Sequence, residues 1–502
     1  MLNKTLIFTT DIHGTLSAKS YVNNQLRPNG LSRVSTYVKN LRKTNEVLLA
    51  DNGDSLQGSP LLTYAIRNKL SPTPLTKVMN HMEYDFLNVG NHDFNYGESI
   101  LQDYIDLTFA SCLTTNVLYK GVPIGSSQIH HFSDGTKIGL IGIVTDYIPH
   151  WEKADHIKHY TFLDPIETVK QEVCELRENV DYVIVLYHGG LEKDPITGKA
   201  TESLTGENVG YELSKIKCID AIISGHQHRS INTNIHNALF MQATLNAAEL
   251  MRIDIVDKKL KAELVSMATI EIDQEIEDLL KPYEKDVNTW LDTVLGTLED
   301  GDCFVSNPFE ARYHKHPVVS FLNQVQTYFT MAQISSTALF NEPLGFPKDI
   351  RMRDIVNNYV YPNSLVVKKM CGLDLKAYLE QNANYFIVKD NQIIVNPDYD
   401  DPKPQHFNYD MLDGIEYTYK ISNPIGHRLI ECTYNGKTVT DMDHFTVVMN
   451  NYRASGGGNF NMIPEAITVA ELPLDMTDLI AEYIQKNNPV KIQHKDNIKI
   501  IL

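Results

Sequence analysis

Thr5-Leu-Ile-Phe-Thr-Thr10 runs straight into Asp11-Ile12-His13, and the same arrangement recurs four more times in the first half of the chain. Val47-Leu-Leu-Ala50 leads to Asp51-Asn-Gly-Asp54, and Phe86-Leu-Asn-Val-Gly90 leads to Asn91-His92-Asp93. Asp181-Tyr-Val-Ile-Val-Leu-Tyr187 delivers His188, and Asp220-Ala-Ile-Ile-Ser-Gly225 delivers His226-Gln227-His228. Short, nearly unbroken Val/Ile/Leu runs are the pattern of strands buried on both faces, as in the parallel sheets of α/β proteins. In such sheets a site lies beyond the carboxyl ends of the strands, where loops converge. Residues far apart in sequence are therefore expected to be neighbours in space, and most of them are His, Asp or Asn.

At 502 residues the chain is too long for one ordinary core, so two domains are expected. Strands alternate with helical segments over residues 1–270. Gly30-Leu-Ser-Arg-Val-Ser-Thr-Tyr-Val-Lys-Asn-Leu and Pro165-Ile-Glu-Thr-Val-Lys-Gln-Glu-Val-Cys-Glu-Leu carry a helical apolar rhythm. Asp164 is the expected N-cap of the second, with Pro165 at its first position. An acidic, aliphatic stretch over 271–310 reads as a linker helix interrupted near Pro282. A second region, 311–502, opens with a helix near 318–328. Its loops are rich in Asn, Pro, Asp and Tyr.

The formal charge of −18 argues against polymeric nucleic acid, which basic patches hold by replacing counterions. A small phosphorylated molecule fits better, since bound metal reverses the local potential of an acidic protein. The leading Met1-Leu-Asn-Lys-Thr-Leu-Ile-Phe lacks the apolar stretch and cleavage site of a signal peptide. No apolar run is long enough to span a bilayer. The sequence as it stands is expected to be cytoplasmic, and exported only if a leader was removed. The six cysteines are scattered without a Cys-x-x-Cys pair and are expected to be buried, reduced thiols.

Taken singly, the strand-end residues are ordinary: a His can be structural, and an Asp after a strand can simply form a turn. Together they form a ligand set. Asp11 and His13 share one loop, Asp54 has two oxygens and can bridge, Asn91 offers a carbonyl oxygen, and His188, His226 and His228 offer imidazole nitrogens. Oxygen and nitrogen donors without cysteine suit Mn, Fe, Zn or Co better than a thiolate-bound structural zinc. Two divalent cations against two carboxylates leave a net positive site for a phosphate ester. Paired cations of this kind support in-line displacement at phosphorus.

Asp11-x-His13, Gly53-Asp54, Gly90-Asn-His92, His188-Gly and Gly225-His-x-His228, in that order, resemble the calcineurin-like metallophosphoesterases. The second half resembles the 5′-nucleotidase C-terminal domain, so the likeness covers nearly the whole chain. It implies an α/β fold: a four-layer αββα sandwich carrying two divalent metal ions, then an α+β substrate-binding domain. It also implies hinge motion near the connecting helix. By that likeness Asp11, His13, Asp54 and His228 hold one metal, and Asp54, Asn91, His188 and His226 hold the other. His92 is the implied catalytic imidazole over the phosphate. The family often places Asp three residues later to orient it; here Asn95 stands there.

In the second half the family stacks a nucleobase between two aromatics from separate loops. The matching segments are Phe407-Asn-Tyr-Asp-Met-Leu-Asp-Gly414 and Asn450-Asn-Tyr-Arg-Ala-Ser-Gly-Gly-Gly458, which point to Phe407 and Tyr452, with Tyr409 as competitor for Phe407. Gly456 and Gly457 would let backbone approach a ligand. Arg453 is a candidate phosphate or ribose contact, with a surface salt bridge as its alternative. Arg351 and Arg353 are assigned to a helix start and its packing.

Typical 5′-nucleotidases show Gly-Gly-Asp-Gly after the second aromatic, and a Gly-Gly-x-Arg phrase elsewhere. This chain has Gly-Gly-Gly458-Asn459, and Ala338-Leu-Phe-Asn-Glu-Pro-Leu-Gly-Phe without arginine. Asp51-Asn-Gly-Asp-Ser-Leu-Gln-Gly-Ser-Pro-Leu61 and Tyr361-Pro-Asn-Ser-Leu instead resemble the bifunctional 2′,3′-cyclic-nucleotide 2′-phosphodiesterase/3′-nucleotidases. That activity on small nucleotides, in nucleotide catabolism, is the expectation. A 5′-nucleotidase or nucleotide-sugar hydrolase is the rival, and a nucleotide-binding protein with an idle metal centre is the rival of another class.

Overall fold

The computed structural model describes residues 3–21, 25–70, 72–202, 204–361, 363–401, 403–472 and 474–502. Met1 and Leu2 of the leading segment, and Pro362 of the Tyr361-Pro-Asn-Ser-Leu phrase, lie outside the described residues. The chain divides into two units, Met1–Asn288 and Thr289–Leu502. The first runs beyond residue 270 because the helix Gln274–Leu291 is tied into it. Ser17 Oγ donates to Glu277 at 2.8 Å, and Ser35 Oγ to Asp273 at 2.6 Å. That helix passes through Pro282 without the expected interruption. The proline removes one backbone hydrogen bond, but Ile276, Leu280 and Val287 bury one apolar face and hold the helix together.

Two six-stranded sheets build the first unit. In one, Asn3–Thr9 pairs in parallel with Asn45–Asp51, which pairs in parallel with Phe86–Leu87. In the other, Lys137–Val144, Tyr182–His188 and Ala221–Ser224 run parallel. All five apolar runs are therefore strands, and both sheets take antiparallel strands at one or both edges.

Leu6, Phe8, Leu48 and Ala50 of one sheet share a core with Leu140, Ile184, Leu186 and Ala221 of the other. Each such large aliphatic side chain contributes about 1.5–3 kcal/mol when fully buried. On the far side of the second sheet, Ile141, Val183, Val185 and Ile222 meet Val169 and Val173 of the helix Pro165–Leu176. Asp164 caps that helix, accepting from the amides of Ile166 and Glu167. Leu31–Arg42 packs on Asn45–Asp51. The result is the αββα sandwich.

The second unit centres on a five-stranded mixed sheet in the order Asp410–Asp413, Ile334–Ala338, His444–Asn450, Leu365–Cys371, Ile467–Leu472. The helix Pro317–Thr330 packs against it, covering the helix expected at 318–328. Arg351 stands at the N-cap of Met352–Asn358, and Arg353 reaches Asp292 at 2.9 Å, as assigned from sequence.

All six cysteines are free, but of the six Cys432 alone is buried; Cys112, Cys303 and Cys371 are half-buried and Cys174 and Cys218 exposed, against the expectation of burial. Cys174 lies on the outer face of a helix whose Val169, Val173 and Leu176 face the core. Among the described residues no helix is long and apolar enough to cross a membrane.

Candidate metal centre and aromatic loops

The parallel registers end the strands at one edge of each sheet: Thr9 lies opposite Asp51, and Tyr187 opposite Ser224. The loops that follow bring the seven ligand candidates together. Asp11, His13 and His228 form one group whose donor atoms lie within 4.8 Å of one another, and Asp54, His188 and His226 form another. Asn91 joins the second group, its Oδ1 2.8 Å from His226 Nδ1. The groups adjoin, with His188 Nε2 3.9 Å from Asp11 Oδ1.

The backbone is strained where the ligands sit. Asp11, His13, Asp54, His226 and His228 all have φ between 46° and 69°, a region non-glycine residues avoid. Such strain persists only where the surrounding structure holds it, and it clusters at functional sites. Gly90 shows how tight the loops are. A Cβ there would strike Asp54 Oδ1 and lie 2.7 Å from His188 Cε1.

The donor atoms fit cations. His188 gives its Nδ1–H to the Asn52 carbonyl at 2.7 Å, and His13 gives its Nδ1–H to the Gln57 carbonyl at 3.0 Å. Each then turns Nε2 toward the other ligand candidates. His13 Nε2 lies 3.2 Å from His228 Nε2. His226 Nε2 lies 2.8 Å from Glu207 Oε1, and its Nδ1 lies 2.8 Å from the Asn91 oxygen. Asp54 Oδ2 and His188 Nε2 are fully buried, 3.2 Å apart, and neither has a well-formed hydrogen bond. Buried donor atoms converging in this way are what a cation organises.

Electrostatics agrees. Burial lowers the His188 pKa, but the Asp54 and Asp11 carboxylates override it and push it up to about 10. Burial alone would raise Asp54, yet the charges of His188 and His92 hold it well below the usual carboxylate range. Burial pushes His13 down to about 4, so that ring is neutral and ready to ligate. A cation entering beside His188 must displace its proton, which couples binding to proton release.

Several residues that the sequence did not single out hold this arrangement. Asp93 accepts backbone N–H bonds from Gly90, Asp54, Ser55 and Leu56, clamping two ligand loops together. Burial and the Asp54 charge raise its pKa to about 6. Asn52 and Asn88 span the two sheets: Asn52 Nδ2 donates to Tyr187 and Ile223 carbonyls, and Asn88 Nδ2 to Ile143. Asp51 accepts from Thr9 and Ser55, both at 2.6 Å, which separates it from its ligand neighbour Asp54.

His92 stands at the edge of the centre, its ring 5.6 Å from that of His13 and its backbone N–H given to Asp54 Oδ1 at 2.7 Å. Its Nδ1 lies 2.8 Å from Asn95 Oδ1. Trp151 stacks on His226 at 5.5 Å. Neither Trp151 nor Glu207 carried a sequence signal, because both lie in irregular stretches.

In the second unit Phe407 sits in the turn His406–Asn408, ahead of the strand Asp410–Asp413, and Tyr452 sits in the turn Asn451–Ala454, after the strand His444–Asn450. Strand registers place both turns at one end of the sheet. Their rings meet edge-on, centroids 6.2 Å apart and planes at 72°. Tyr409 is fully buried and stacked on Tyr385 at 4.5 Å, which removes it as the competitor.

Two expectations change here. Arg453 is 2 % exposed, so it is no surface salt bridge, and its guanidinium is spent on the protein. Nε bonds Asp410, Nη1 bonds the Gly457 carbonyl, and Nη2 bonds the Phe407 carbonyl at 3.1 Å. It ties the two aromatic loops together. The glycines serve the protein's own packing: a Cβ at Gly457 would lie 2.5 Å from Tyr452 Cζ, and one at Gly456 would lie 2.8 Å from Pro464 Cγ.

Fold and site together define a metallophosphoesterase. Residues 4–230 match the calcineurin-like phosphoesterase family model, and residues 294–465 match the 5′-nucleotidase C-terminal domain model. A crystal structure from Staphylococcus aureus, provisionally assigned as a 5′-nucleotidase, shares 33% identity and a TM-score of 0.93, with both chains covered completely. The chain belongs to the 5′-nucleotidase family and is a metal-dependent phosphoric ester hydrolase. A Salmonella typhimurium 2′,3′-cyclic-nucleotide 2′-phosphodiesterase/3′-nucleotidase is 29% identical, over 89% of this chain and 80% of that protein. A trifunctional nucleotide phosphoesterase of Bacillus subtilis is 25% identical over 99% of this chain, which spans only 38% of its length.

Proposed function

We propose that this chain hydrolyses 2′,3′-cyclic nucleotides to 3′-nucleotides, and then 3′-nucleotides to nucleoside and phosphate. The loop behind Tyr452 carries the proposal. It reads Gly456-Gly-Gly-Asn459, with no carboxylate to read free ribose hydroxyls. The neighbouring Asp410 is engaged by Arg453 and by Tyr378, the latter at 2.6 Å. A cyclic diester already uses both ribose oxygens, so such a carboxylate would gain little. The Salmonella relative's activity supports the same reading. The second reading, a 5′-nucleotidase, is favoured by the assignment of the Staphylococcus structure.

In this reading Asp11, His13, Asp54 and His228 hold one cation, and Asp54, Asn91, His188 and His226 hold the other, with Asp54 shared. The ligand set suits Mn, Zn, Fe or Co. Bound there, the cations supply Lewis-acid polarisation of the phosphoryl oxygens and a nucleophilic water at neutral pH. With hydrogen on both ring nitrogens, His92 stabilises charge on the phosphoryl or leaving oxygen and passes its Nε2 proton to the departing 2′-oxygen, keeping Nδ1–H on Asn95. Phe407 and Tyr452 stack on the nucleobase, worth about 1–3 kcal/mol per base. Arg453 keeps their loops in place.

The test is turnover of 2′,3′-cyclic AMP and 5′-AMP side by side by the manganese-loaded protein, with products separated by chromatography. Early 3′-AMP followed by adenosine, with slow 5′-AMP turnover, supports the proposal. Fast release of adenosine from 5′-AMP alone replaces it with the second reading.

A further inference from the structure

His92 is followed three residues later by Asn95, whose neutral amide cannot act as a carboxylate partner. The hydrogen bonds continue past it. Asn95 Nδ2 donates to Glu152 Oε2 at 2.6 Å. The Glu152 side chain is only 6 % exposed. Its Oε1 accepts the Lys153 amide at 2.8 Å and lies 2.9 Å from His156 Nδ1. Among the described residues, the Asn95 amino group and the Lys153 N–H donate to Glu152, and His156 Nδ1 can do the same, as a carboxylate requires.

The direction of the whole chain follows from that end. A carboxylate only accepts, so the Asn95 amino group must face Glu152, and Oδ1 must face His92. An amide oxygen also only accepts, so His92 Nδ1 must carry a hydrogen. In the neutral ring the lone pair is then on Nε2. Without Glu152 the amide could turn over, present Nδ2 to His92, and select the opposite tautomer.

We propose that Glu152, from a segment distant in sequence, is a positioning residue for His92. It orients the Asn95 amide and thereby sets which nitrogen of His92 carries hydrogen. This rests on the proposed role of His92 in phosphate-ester hydrolysis. The carboxylate that the family often places next to this histidine stands here one residue further out, with an amide relaying its polarity. Asn95 and Glu152 therefore form an exchangeable pair. Asp at 95 opposite Glu at 152 sets two carboxylates against each other, whereas Asp at 95 opposite Gln at 152 restores donor to acceptor at both contacts.

The experiment compares Glu152→Ala, Asn95→Asp and the double variant Asn95→Asp/Glu152→Gln with the wild type, on whichever phosphate ester the wild type turns over fastest. Each single variant is expected to lose roughly 10–100-fold in kcat with KM within about twofold. The double variant is expected to recover at least about tenfold over Asn95→Asp. Imidazole nitrogen NMR of isotope-labelled, metal-free protein gives a readout independent of turnover. Both proteins are measured at one pH at which the ring is neutral. The wild type should show His92 as the Nδ1–H tautomer, and Glu152→Ala should show a mixture. Unchanged kcat in Glu152→Ala, no recovery in the double variant, or the same tautomer in both proteins overturns the proposal. If the preferred ester is a 5′-monoester, the substrate reading fails, but the comparison among variants still decides the role of Glu152.

Discussion

In the first unit the groups proposed to act are themselves the strained ones, with five of the seven metal-ligand candidates at positive φ and their loops clamped by Asp93 and by asparagines between two sheets. In the second unit Phe407 and Tyr452 are half-buried rings on short turns, and the buried, fully engaged residue is Arg453 behind them. Cations demand several donors at fixed separations, so precision is built into the ligands' own backbone. A nucleobase needs only flat surfaces, so precision is delegated to a hydrogen-bonded support. Loss of an acting residue should therefore cost chemistry in the first unit and binding in the second. Loss of the support should cost stability.

The largest effect is expected from Asp54→Asn. It removes the shared carboxylate and should lower kcat/KM by roughly 10³-fold or more, with a matching fall in bound metal measured by atomic emission. Full metal content and activity would place the centre elsewhere and end the comparison.

Next comes Arg453→Met, which leaves the buried Asp410 with its Tyr378 hydrogen bond but without a counter-charge, and should destabilise the second unit by about 3–5 kcal/mol in a denaturant titration. A change under about 1 kcal/mol would make the guanidinium no better than a surface pair. The smallest effect is expected from Tyr452→Leu. It should raise KM for nucleotides roughly tenfold, while kcat/KM for an ester lacking a base, such as bis(p-nitrophenyl) phosphate, stays within about twofold. Equal losses on both substrates would mean that the ring supports the fold and does not hold a base.

The sequence by itself determined the parallel strands, the order of the strand-end loops and the identity of the candidate ligands that the fold brings together. Buried strands have a compositional signature, and cations accept few residue types, so both are written locally in Thr5–Asp11-like phrases and in Gly225-His-Gln-His228. The helix Pro165–Leu176 and its Asp164 cap were legible for the same reason. Tertiary structure decided the rest. It carried a helix through Pro282, because burial of one face outweighs a lost hydrogen bond. It turned Arg453 inward and left Tyr409 in the core. It brought Glu152 to Asn95 and Glu207 to His226 across irregular segments. Hydrogen bonds between distant loops leave no periodicity or composition in either partner. Only the folded chain shows which acceptor meets which donor.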